Sequence, residues 1–112
     1  MNIIKEANIN AIDKFNIKSV PMDIKRVTDA VTVVGAVIYN DVDRETGELK
    51  AVGAIKTDSG DIYGFTSLTL IDCTDLLIDT FMDGAKEITL VPVTGTSNAG
   101  RTFYQFKVMD IK

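Results

Sequence analysis

The stretch that most limits what this chain can fold into runs from Glu87 to Ile111, where two runs dense in β-branched and aromatic side chains flank a loop unsuited to any core. Ile88, Thr89, Leu90, Val91, Pro92 and Val93 make the first run; Thr102, Phe103, Tyr104, Gln105, Phe106, Lys107 and Val108 make the second. Such residues fit a pleated, half-buried strand. Between them, Thr94 to Gly100 are all small or polar and permit positive φ, which predicts a hairpin loop. Gly95, Gly100, Arg101 and Thr102 stand at the spacing of a phosphate-binding loop, with arginine where lysine belongs. That motif requires a helix after the glycines, because a helix N-terminus helps to hold the phosphates. An aromatic strand follows here, so the glycines read as a flexible hairpin tip.

Upstream, Val31 to Tyr39 form a run apolar on both faces, with Gly35 where a small barrel needs a bend or bulge. The polar turn Asn40 to Glu48 places Asp41, Asp43 and Glu45 at alternating positions, as a calcium loop does. Its glycine falls one place late, at Gly47, and Val52 occupies the position of the closing glutamate, so a solvated hairpin loop is the better reading. Leu49 to Thr57 is a second strand with Gly53 at its middle. Asp58, Ser59, Gly60 and Asp61 make a turn, and Ile62 to Thr66 a third strand. Leu70, Leu77, Ile78 and Phe81 then recur with helical spacing, with Ser67 or Thr69 as cap and Gly84 as stop. Asp72, Asp75, Asp79 and Asp83 line one face of that helix, the water-facing side of an amphipathic element.

Residues 1–29 are the least regular. Ile3, Ile4, Ile9, Ile12, Phe15, Ile17 and Val20 follow no clear period, Pro21 breaks any helix near it, and Met22, Ile24 and Val27 suggest another extended piece. Adjacent Lys25 and Arg26 would point to opposite faces of a strand. The segment is too apolar to be solvated comfortably, which predicts an extension or arm packed on the rest of the chain.

With 112 residues there is room for one domain and a modest core. Histidine is absent and Cys73 is the single cysteine. Those two facts remove Ser-His and Cys-His nucleophiles, an internal disulfide and a multi-cysteine zinc site, and they predict neither metal nor cofactor. With no histidine and no conspicuous basic group beside it, Cys73 reads as a small packing residue. The net charge of −4 argues against indiscriminate attraction to nucleic acid, although a ligand within a Debye length feels only the face presented to it. The N-terminus MNIIKEANIN does not resemble a secretion signal and no apolar run approaches a membrane span. A cytoplasmic protein is expected, in the cytoplasm of a bacterial host if phage-encoded.

The order strand, strand, strand, helix, strand, strand is that of an OB-fold, a five-stranded Greek-key barrel with its helix between the third and fourth strands. The expected fold is therefore all-β with one helix: a barrel over 30–112 preceded by the extension 1–29. The run Thr57-Asp58-Ser59-Gly60-Asp61-Ile62-Tyr63-Gly64-Phe65-Thr66-Ser67, the helix, and then Gly95-Thr96-Ser97 and Gly100-Arg101-Thr102-Phe103 resemble the small OB-fold single-stranded DNA-binding proteins of bacteriophages and mobile plasmids. The resemblance covers residues 30–112. It implies a non-enzymatic, largely sequence-independent binder of single-stranded DNA in replication, recombination or transfer, with replication or recombination proteins as partners.

The residues support that function on their own terms. Aromatic rings stack bases of any sequence, and arginine and lysine follow the phosphates. Phe103 and Lys107 share one face of the last strand, opposite Tyr104, Phe106 and Val108, which make the better core. Tyr63 and Phe65 share a face of the third strand. The expected nucleic-acid-binding set is Tyr39, Arg44, Lys50, Lys56, Tyr63, Phe65, Arg101, Phe103 and Lys107, although every ring among them serves equally well as core material. A homodimer is expected, since joining two small sites raises affinity. The competing expectation is a phage or plasmid structural or adaptor protein, pairing through an open sheet edge.

Overall fold

The computed structural model describes residues 2–19 and 21–112; Met1 and Val20 lie outside the described residues. The elements are β1 (Asn2–Ala7), α1 (Ala11–Ser19), β2 (Met22–Asp23), β3 (Val31–Val42), β4 (Leu49–Thr57), β5 (Ile62–Phe65), α2 (Leu68–Met82), β6 (Ile88–Thr96) and β7 (Thr102–Ile111), with a 3-10 turn at Ile24–Arg26. The strands form one curled half-barrel sheet in the order β2-β5-β4-β3-β6-β7, with β1 also paired to β3.

All five strands and the helix expected over 30–112 are present. The expectation of five strands and one helix is corrected to seven strands and two helices among the described residues, because 2–23 contributes β1, α1 and β2. The expected loop Thr94–Gly100 also shortens, since Thr94, Gly95 and Thr96 pair with Tyr104, Phe103 and Thr102.

β3 is the hub. Its second half pairs with β1, its first half with β6, and its other side with β4. The register slips between Val33 and Gly35, where a Cβ would meet the carbonyl oxygen of Asn8 at 2.7 Å. Glycine is therefore required there to let the β1–α1 connection pass close to the strand.

The slip sorts side chains onto two buried faces. Val33, Ala36 and Ile38 join Ile55, Phe65, Ile88 and Leu90 beneath Leu70, Leu77, Ile78 and Phe81 of α2. On the opposite face Val37, Tyr39, Ala54 and Ile62 pack with Ile17 of α1. A strand covered on both faces reads as continuously apolar, which accounts for the run 31–39.

α1 starts with a reciprocal cap: Asp13 N–H donates to Asn10 Oδ1 at 2.8 Å, and Asn10 N–H donates to Asp13 Oδ2 at 3.0 Å. Asp13 is buried and also accepts from Lys56 Nζ at 3.0 Å, which ties α1 to β4. α2 is capped by the Ser67 hydroxyl and stops at Gly84, whose φ is 115°. Asp72, Asp79 and Asp83 are exposed and Asp75 half-buried; Lys5 of β1 bridges Asp75, at 2.6 Å, and Asp79. No helix among the described residues is long and apolar enough to cross a membrane.

Candidate functional site

β5 and β7 are not hydrogen-bonded to each other; β2 pairs in parallel with β5 instead, Met22 with Tyr63 and Asp23 with Gly64. The gap becomes an open cleft of about 800 Å³. One wall is β5 with Thr66 and Ser67, another is Thr102, Phe103 and Tyr104, and the segment Pro21–Lys25 lies along it with Ile17 and Lys18. Tyr39, Asp41, Lys50, Val52 and Leu70 complete the lining.

Two half-buried rings line the cleft. Phe103 is half-buried and rests on Gly95, where a Cβ would stand 2.6 Å from its ring. A side chain at position 95 would displace it. Tyr104 is half-buried, touches the α2-side core and lies beneath the Lys25 ammonium, 5.9 Å from the ring centroid.

Three lysines and two aspartates line the cleft. Lys18 lies 3.4 Å from Asp41, whose carboxyl is held below the usual range first by the Val42 N–H and then by Lys18. Asp23 accepts from the Lys25 N–H at 2.9 Å. Lys50 stands 3.8 Å from Asp43. The Asp43 carboxylate is already occupied by the N–H groups of Glu45 and Thr46, which depress its pKa, and Gly47 turns the chain at φ 73°. The acidic turn is thus a hairpin held by its own backbone.

Of the nine residues expected to touch nucleic acid, the cleft brings together Tyr39, Lys50, Phe65 and Phe103. The expectation that Tyr39 and Phe65 present open rings is corrected: they line the cleft but are only 5 % and 7 % exposed, Tyr39 packed on the α1 side and Phe65 on the α2 side. Burial, and secondarily Asp41, raises the Tyr39 pKa. Phe65 lies over Gly53 and meets Phe106 edge-on at 5.5 Å. Tyr63 likewise turns to the α2-side core, because residues 63 and 65 share the face that α2 covers.

Lys56 is taken up by Asp13. Arg44 is exposed at the β3–β4 hairpin tip and Arg101 at the β6–β7 tip, where its N–H donates to Ser97 Oγ at 3.2 Å. Lys107 is exposed on the sheet face away from α2, opposite Val91. Sequence reasoning missed Lys18, Lys25 and Tyr104 as cleft residues. The available signal was the pair Asn10 and Asp13, a capping spacing that marks the start of α1, the helix that carries Lys18.

No family model matches the chain, and no curated protein or solved structure matches it.

Proposed function

We propose that this chain binds single-stranded DNA, without enzymatic activity and largely without regard to sequence, in the cleft between β5 and β7. The observation that carries the reading is the joint lining of one open cleft by Phe103, Tyr104, Lys18, Lys25 and Lys50. Ring faces accept bases and ammonium groups accept phosphates, and neither interaction depends on sequence. The order β5-β4-β3-β6-β7 with α2 between β5 and β6 supports an OB-fold reading in which the barrel stays open at the β5–β7 seam. DNA replication, recombination or transfer is the setting in which such a binder serves.

The experiment is a fluorescence titration with oligo-dT, the matching RNA and a duplex at low and moderate salt. Micromolar or tighter binding to the single strand, weakening steeply with salt and quenching tyrosine emission, is the expected result. Replacing Lys25 and Lys50 by alanine should shallow the salt dependence by roughly 0.7 in log–log slope for each phosphate that is no longer neutralised. A folded protein that shifts no oligonucleotide at low salt ends the proposal.

The second reading, an adaptor or assembly component, draws on the apolar side chains left exposed at Ile12, Phe15, Leu49, Leu68, Leu76 and Met82. It predicts a large assembly indifferent to oligonucleotide.

A further inference from the structure

We infer that the free edge of β7 is a self-association surface, on which two copies pair β7 antiparallel about a two-fold axis between Val108 and Met109. The surface lies beyond the cleft and does not depend on the cleft's ligand.

β7 ends the sheet path: β6 holds one side along the strand, and no described strand holds the other. Unpaired backbone along an edge this long is a template for another strand. The edge is apolar as well, with Val108, Met109 and Ile111 exposed at 44, 57 and 53 %. Beside it an apolar groove of about 110 Å³ runs between α2 and β7, rimmed by Leu76, Phe106 and Ile111, with Leu76 67 % exposed.

Lysines and bulges ordinarily guard such edges, and β7 has both, but their arrangement makes the edge complementary to itself. Val91 pairs with Lys107, Leu90 with Val108, Thr89 with Asp110 and Ile88 with Ile111, so Met109 is the additional residue of a bulge. Directly paired residues share a sheet face. Ile88 and Leu90 are core residues on the α2 side, so Val108 and Ile111 face that side while Lys107 and Asp110 both face away from it. Without the bulge, Lys107 and Asp110 would lie on opposite faces.

An axis between Val108 and Met109 then sets Lys107 of each copy opposite Asp110 of the other, on the same face. It also sets Phe106 opposite Ile111 of the other copy on the α2 side, at the mouth of the groove beside Leu76. Centring the axis on Lys107 would oppose two lysines, so charge selects the register as well as the partner. An unrelated strand has no reason to match this pattern; a second copy matches it by symmetry.

The test is sedimentation velocity over a wide concentration range on the wild type, Lys107→Asp, Asp110→Lys and the double exchange, with circular dichroism and urea midpoints confirming the fold. The wild type should show a concentration-dependent dimer. Each single reversal sets like charges opposite at both symmetry-related positions and should weaken it about tenfold or more. The double exchange should restore it. Leu76→Glu should also weaken the dimer while leaving the urea midpoint in place. A wild type that stays monomeric, a dimer indifferent to both single reversals, or a double exchange that fails to recover overturns the proposal.

Discussion

β5 and the first residues of β7 border the same cleft and carry the same kind of sequence, two aromatics within a few positions, yet they distribute those rings differently. In β5 the aromatics alternate, so Tyr63 and Phe65 fall on one face, and that face is the one α2 covers. The other face of β5 is covered too, with Ile62 packed near Ile17 of α1. In β7 the aromatics are adjacent, so they divide: Tyr104 goes toward the core with Phe106, while Phe103 goes to the other face and settles on Gly95. Position within the two-residue period decides whether a ring joins the α2-side core or the opposite face of the sheet, and aromatic content alone does not.

The contrast breaks most visibly at Phe65. Phe65→Ala removes a ring buried over Gly53 and against Phe106, and the expected loss is about 3 to 5 kcal/mol in urea unfolding. Phe103→Ala should cost about 1 kcal/mol or less by the same measurement, because its ring is only half-buried. Equal losses at the two positions would erase the distinction.

Next in size is the tie that covers the outer face of the sheet. Lys56→Met leaves the buried Asp13 carboxylate with the Asn10 N–H as its remaining partner, and about 1 to 3 kcal/mol of stability should be lost. Limited proteolysis should then cut first within α1; an unchanged cleavage pattern would mean that α1 is held by packing alone.

In ligand binding the order of the two rings should reverse. Phe103→Ala should weaken oligo-dT binding by about 1 to 3 kcal/mol, the value of one stacked base, in a titration at fixed salt. If affinity is unchanged, Phe103 is not the platform and the comparison loses its functional half.

The smallest effect is a pH dependence at Tyr39, a buried ring beside the cleft. Burial lifts its folded-state pKa above the ordinary 10.0, so its contribution is complete below that pH and drains away as pH rises toward the folded value. Tyr39→Phe should leave neutral-pH stability nearly unchanged and flatten the alkaline limb of a stability–pH curve above pH 10. An identical limb in both proteins would place the ring in contact with water.

Much of 31–112 was legible because its signals are local: a continuous apolar run over β3, β-branched and aromatic runs over β4 to β7, turn residues between them, and a helical period over Leu70 to Phe81 bounded by Ser67 and Gly84. The first thirty residues were not, for equally physical reasons. α1 is nine residues long and leaves Ile12 and Phe15 exposed, which spoils its apolar stripe. β2 is two residues long and exists only through parallel pairing with β5, a partner about forty positions away that no local pattern announces.

By itself the sequence determined the strands of 31–111 and the long helix between them, the exclusion of histidine chemistry and of an internal disulfide, and an apolar character on both faces of β3. These follow from residue type and spacing, which act over a few neighbours. Only the tertiary structure decided that β2 rather than β7 pairs with β5, that Lys18 and Lys25 join the cleft, and that Tyr39 and Phe65 are buried beside it. Those outcomes depend on which distant surfaces fit together once the chain has collapsed, and packing between remote segments leaves no period in the sequence to read.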